Sequence, residues 1–218
     1  HPHASDGASA VRGVALLQPL PQYLLVRGDL GIRGVSDLEG RTLVVGSQST
    51  TSYMLAPLIL EAFGVTAEIK PVHTRDEATK LLLSGAADAA LLPGYIYPDN
   101  EMHPAIEAGA YFVPIDGPAV DKLRLSRPFI RRAMIPRDIY PGQNRIIPTI
   151  GIDMVVVCRR DLDASLVYRL TSALMNAYPQ LSGVEANLRF LNPDEASATP
   201  IPLHAGAARY FREREISR

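Results

Sequence analysis

The chain has 218 residues, enough for one large domain or for two lobes that each bury a core. Hydrophobic residues make up 47% and charged residues 21%, and 22 Lys and Arg against 23 Asp and Glu leave a formal net charge of -1. That balance is globular and argues against nucleic acid or an anionic membrane surface as a partner, and no apolar run reaches the length of a membrane span.

His1–Ala10 is polar and small and reads as a disordered tail. It lacks the basic segment and apolar stretch of a signal peptide, so a mature or cut chain is expected. Val11–Leu17 and Tyr23–Val26 read as strands, separated by a turn at Pro19-Leu20-Pro21. Ser36-Asp37-Leu38-Glu39-Gly40 is a short Ser-capped helical turn closed by glycine.

The next stretch, Thr42–Leu60, is the most informative of the chain. The β-branched run Leu43–Val45 suits a buried strand, and Gly46 breaks it. Five hydroxyl residues follow almost without interruption, Ser47, Ser49, Thr50, Thr51 and Ser52. Then comes a helical pattern in which Tyr53, Pro57, Leu60 and Phe63 recur at threes and fours. A Ser or Thr before such a pattern caps the helix by accepting from one of its orphan N–H groups. The free N–H groups and the positive end of the helix dipole together favour an anion, and a carboxylate is the expected ligand. A capped helix after a strand can equally bind nothing, but one hydroxyl suffices for a cap. A phosphate loop would need a lysine after Gly46, and a nucleophile elbow would need Gly-x-Ser-x-Gly; neither is present.

Ala67–Val72 reads as a strand, and Thr74 with Glu77 as a capping box opening a helix whose apolar face is Ala78, Leu81 and Leu82. Ala86–Leu92 reads as a buried strand ending at Pro93-Gly94-Tyr95. This alternation of strand and helix indicates α/β architecture with a mostly parallel sheet, whose ligands sit beyond the carboxyl ends of the strands. Gly46–Ser52 and Pro93–Tyr97 both lie at such ends. A short helix at Pro104–Ala108, a strand at Tyr111–Ile115 and a helix at Gly117–Leu125 follow. Ser126–Pro148 is expected to be mostly loop, with a short strand near Ala133–Ile135. Its arginines 127, 131, 132 and 137 could grip a carboxylate or make local ion pairs. Ile150–Cys158 reads as a long strand, and Asp163–Tyr178 as an amphipathic helix facing inward with Leu166, Leu170, Ala173, Leu174 and Ala177. A charged helix, Ala207–Glu215, closes the chain.

The single cysteine, Cys158, lies in an apolar run and reads as a small buried hydrophobe rather than a nucleophile. The histidines at 1, 3, 73, 103 and 204 lack metal-site spacing. The residues therefore call for no catalytic group, no metal and no cofactor, with a hydrolase as the weakest alternative.

Several of these segments, taken in order, resemble the TAXI family of TRAP-transporter solute receptors. They include Ser36-Asp37-Leu38-Glu39-Gly40-Arg41 before a strand, the Gly46–Ser52 turn, and Gly85-Ala86-Ala87-Asp88-Ala89 leading to Pro93-Gly94-Tyr95. Ile115-Asp116-Gly117, Tyr140-Pro141-Gly142-Gln143, and Pro202-Leu203-His204-Ala205-Gly206 continue the series, over roughly residues 11–214. The resemblance implies a type II periplasmic-binding-protein fold, two lobes joined by two chain crossings. Residues 29–153 would form one lobe, and 11–28 with 154–218 the remainder of the other, whose front part is expected to be missing. It implies a periplasmic or extracytoplasmic receptor that binds a small organic anion, an amino acid or dicarboxylate, and delivers it to membrane transporter subunits. A sensor built on the same fold is the alternative. The ligand would rest on Ser47, Ser49, Thr50, Thr51 and Ser52, with close backbone approach at Gly94, packing by Tyr95, and Tyr140 on the opposite rim. The incomplete lobe would leave apolar surface that favours self-association.

Overall fold

A computed structural model describes residues 10–94, 100–184 and 192–216. The tail expected at His1–Ala10 lies outside these but for its last residue, whose carbonyl accepts from the Arg160 N–H. The strands are β1 (Val11–Val26), β2 (Thr42–Val45), β3 (Glu68–Pro71), β4 (Ala89–Pro93), β5 (Tyr111–Val113), β6 (Ile130–Ile135) and β7 (Ile147–Arg159). The helices are α1 (Thr51–Phe63), α2 (Arg75–Ser84), α3 (His103–Glu107), α4 (Pro118–Ser126), α5 (Ala164–Val184) and α6 (Ala205–Ile216), with a 3₁₀ turn at Val35–Leu38. Strand order is β3-β2-β4-β1-β7-β6, and β5 also pairs with β1. The β3-β2-β4 group is parallel, and β1 runs antiparallel to both β4 and β5. The class is thus α/β with an open sheet.

The chain divides into two compact units, residues 1–18 with 153–218 and residues 19–152, and crosses between them twice. The first crossing falls inside β1, at Gln18–Pro19, rather than at Gly28–Asp29. The reason is that Pro19–Pro21 makes no turn: β1 runs straight through it, and its second half pairs with β4 and β5. Proline is tolerated there because it removes ladder donors where the strand changes partners.

In the unit of residues 19–152, side chains along β1 alternate between two cores. Leu24 and Val26 pack with Leu55, Ala56 and Ile59 of α1 and with Val120 and Leu123 of α4. Tyr23 and Leu25 pack with Ala78 and Leu82 of α2, Ala105 of α3, Phe112 and Tyr140. Asp88, the one charge in its apolar run, ties the start of β2 to the end of β1. Its carboxylate accepts from the Thr42 N–H at 2.9 Å, and its carbonyl accepts from the Arg27 N–H at 3.1 Å.

The buried face of α1 is Leu55, Ala56, Ile59 and Leu60, not the expected stripe through Pro57. Pro57 lies on the exposed side, where water can satisfy the carbonyl whose helical donor it removes. β6 covers all of Ile130–Ile135, longer than the expected Ala133–Ile135, because pairing with β7 over Ile147–Ile152 absorbs its arginines as outward residues. Arg132 pairs with Asp121 and Arg137 with Asp138, so these two arginines make local ion pairs.

The unit of residues 1–18 and 153–218 has a small core of Val14, Ala15, Val167, Met175, Ala196, Ala207 and Phe211. Here α5 presents Val167, Thr171 and Met175 inward at intervals of four, while Leu166 and Leu170 are exposed at 37% and 50%. The expected inward face is therefore displaced by one position, because the bulk of Val167 and Met175 fills the core and Thr171 meets its need by donating to the Val167 carbonyl at 2.7 Å. His204 is buried at the entry to α6; its Nδ1 accepts from the Gly206 N–H and its Nε2 lies 3.2 Å from the Arg160 carbonyl, a structural role.

Candidate functional site

β2 delivers the chain to the carboxyl edge of the sheet, and the turn Gly46–Thr50 reverses it into α1. A Cβ on Gly46 would lie 2.6 Å from Thr50 Oγ1, so only glycine lets the turn close this tightly. Thr50 caps α1 by accepting from the Tyr53 N–H at 3.4 Å, while donating to the Ser47 carbonyl at 2.7 Å. Ser52, fully buried, accepts from the Gly46 N–H at 3.0 Å and stands 3.2 Å from Thr50 Oγ1. Because the Thr50 proton already goes to Ser47, it is Ser52 that donates in that last contact. Thr50 and Ser52 therefore have their hydroxyl protons engaged inside the turn.

The other three hydroxyls differ. Ser47 and Ser49 lie 3.1 Å apart, so one donates to the other and one proton remains. Thr51, the first helical residue, accepts from Gln22 Nε2 at 3.0 Å, and no acceptor among the described residues takes its own proton. Ser47 and Thr51 are half-buried and Ser49 is exposed. Beside them lie the first N–H groups of a thirteen-residue helix, which have no intrahelical acceptor. The arrangement offers donors and positive potential together, as a carboxylate requires.

Gln22 on β1 and Thr149 on β7 are joined by one hydrogen bond. Thr149 donates to the Gln22 carbonyl and also lines a cavity of about 240 Å³ with Ile115, Gly117, Val120, Met134 and Ile146. Sequence reasoning missed both residues. The available signal was a glutamine at the head of the apolar run Tyr23–Val26, where nothing else is polar.

The remaining expected site residues fall elsewhere. Gly94 is buried, and a Cβ there would sit 2.4 Å from the Tyr23 ring, so its lack of a side chain is explained by that ring. Tyr95 lies outside the described residues. Tyr140 is not on a rim shared with Thr51. It is buried at 3% exposure in the opposite core, with ring centroids 6.1 Å from Tyr23, 4.8 Å from Phe112 and 6.0 Å from His103. Burial pushes its phenol up to about 12, partly offset by the nearby Arg75, and burial likewise pushes Tyr23 up. Arg75 donates to the Pro93 carbonyl in the same cluster. The sequence could not reveal this because Tyr140 follows a segment, Ile130–Ile135, whose extent as a strand decides which face it reaches.

Burial also raises the Cys158 thiol, the opposite of what a nucleophile needs. Among the described residues no His, Cys, Asp and Glu cluster could hold a metal, and no helix is long and apolar enough to cross a membrane.

Similarity to known proteins accords with this architecture. XAC2383 from Xanthomonas citri, solved with chloride and with ATP, superposes in both forms with a TM-score of 0.54 at 16% identity over 95% of this chain and 70% of its own. An ancestral arginine-binding protein bound to glutamine is more distant, with a TM-score of 0.42 at 17% identity over 85% of this chain and 64% of its own. The likeness to XAC2383 is one of fold, a mixed α/β architecture with an open sheet. The model of the NMT1-like family matches residues 2–214, nearly the whole sequence, and the chain belongs to that family.

Proposed function

We propose that the protein is an extracytoplasmic solute receptor for a small organic anion, an amino acid or dicarboxylate, and that it serves a membrane transporter of the TRAP type as a TAXI-like receptor. The observation that carries the reading is the α1 N-terminus, where Thr51 and the Ser47–Ser49 pair keep hydroxyl protons to donate beside the helix N–H groups. A ligand carboxylate accepts these donors. Thr50 and Ser52 support the site by holding the turn rather than by touching ligand. Membership of the NMT1-like family supports the same reading. Self-association belongs to it as well, supported by the exposed Leu166 and Leu170 on α5 and by Val157 at 50% exposure.

The test is a thermal-shift screen against amino acids, dicarboxylates and keto acids at neutral pH, followed by calorimetric titration of any hit. A ligand specific for the folded state adds ~2.7 kcal/mol of stability at a hundredfold excess over Kd. Replacing Ser49 and Thr51 together by Ala is expected to weaken binding by at least ~1 kcal/mol through lost charge-assisted hydrogen bonds. Unchanged affinity in that double variant overturns the assignment.

A further inference from the structure

We infer that Gln22 is a positioning residue for the anion site: its buried amide donates to the Thr51 hydroxyl and cannot take its proton, which is left to donate toward the ligand. The inference rests on the anion-site reading above. Gln22 is fully buried, and its orientation is set by chemistry rather than by choice of fit. Its Nε2 lies 3.3 Å from the Pro21 carbonyl oxygen, which can only accept, so the nitrogen and not the oxygen faces that side. The same nitrogen donates to Thr51 Oγ1 at 3.0 Å. Both amide protons are thereby used, and a lone pair of Thr51 is occupied. The Thr51 proton is left to point away from the protein interior, where a carboxylate oxygen would accept it. The Thr149 hydroxyl fixes the backbone of Gln22 from the other side by donating to its carbonyl.

Among the described residues, the other half of the amide makes no hydrogen bond that would add to stability. Gln22 Oε1 is buried with no hydrogen-bond donor among the described residues. An apolar side chain of the same length would remove that unmet acceptor. A glutamine at this position is explained by what its N–H groups do to Thr51.

The test is a double-mutant cycle between Gln22→Met and Thr51→Val, read by calorimetric titration with L-glutamate, succinate and 2-oxoglutarate as probes and by urea unfolding. Thr51→Val is expected to weaken the best probe by roughly tenfold or more. Gln22→Met is expected to weaken it similarly, with an unfolding midpoint equal to or above that of the unmodified protein. The double variant is expected to bind no more weakly than Thr51→Val alone, because Gln22 acts through that hydroxyl. Additive losses, or a loss at Thr51 with none at Gln22, overturn the positioning role and leave the anion site standing. If none of the probes binds, or Thr51→Val changes nothing, the anion site fails and this inference fails with it. Should Gln22→Met not fold, Gln22→Glu carries the test: a carboxylate there accepts the Thr51 proton, and weaker binding is again expected. Failure of both variants to fold overturns the inference, since Gln22 would then serve the structure.

Discussion

The two faces of the sheet in residues 19–152 both gather polar side chains at its carboxyl edge, yet they differ in what those groups have left to offer. On the α1 face the hydroxyls of Thr50 and Ser52 are satisfied within the turn, and those of Thr51 and Ser47–Ser49 keep protons at partly exposed positions. On the α2 face Tyr23 and Tyr140 are sealed among rings, and the Tyr140 hydroxyl is buried with no hydrogen-bond partner among the described residues. A polar residue near a cleft therefore says little by itself. Which of its protons and lone pairs are already committed decides whether it can serve a ligand.

The sharpest way to break this contrast is at Gly94. A methyl there meets the Tyr23 ring at 2.4 Å, and that ring is packed by Phe112 and Tyr140, so it cannot swing aside. Gly94→Ala is expected to cost about 3 kcal/mol, read as a lower urea midpoint. A variant of unchanged stability would show that the aromatic face is not sealed.

Next in size is alkaline stability. The folded protein holds the Tyr140 proton to about pH 12, above the ordinary value of 10.0, because burial disfavours the phenolate. The unfolded chain releases its proton first, so this contribution is complete below pH 10 and is lost as pH rises through 12, an effect on the order of 2 kcal/mol. Tyr140→Phe is expected to flatten that part of the stability profile while leaving stability at pH 7 within about 1 kcal/mol. Destabilisation at pH 7 would reveal a partner for the hydroxyl.

The smallest effects separate the hydroxyls of the turn. Thr50→Ala removes a helix cap and is expected to cost about 1 kcal/mol. Ser49→Ala removes an exposed group and is expected to move stability by less than about 0.5 kcal/mol. Equal losses at the two positions would contradict the division into structural and ligand-facing groups.

Much of this was legible from residues alone where the physics is local. The strand at Leu43–Val45, the break at Gly46, the capped helix and the Thr74 cap need only neighbours within a few positions. The assignment of individual hydroxyls was not legible, because the partner of Thr51 comes from β1, far away in sequence. The same limit misplaced Tyr140 and the inward faces of α1 and α5. Periodicity gives the existence of an apolar stripe, but where several stripes compete, tertiary packing selects among them. Pro19 and Pro21 misled for the opposite reason, since a local turn signal was overridden by pairing on either side of it.

Those prolines carry a consequence for how the molecule opens. Neither has an amide hydrogen, so β1 is one strand in geometry but has no exchangeable amide at positions 19 and 21, with only that of Leu20 between them. Amides on one side of that gap report on the unit of residues 1–18 and 153–218, and those at Gln22–Val26 report on the other. Subglobal unfolding has a natural boundary there, and the two halves of a single strand are expected to exchange with deuterium as members of different cooperative blocks.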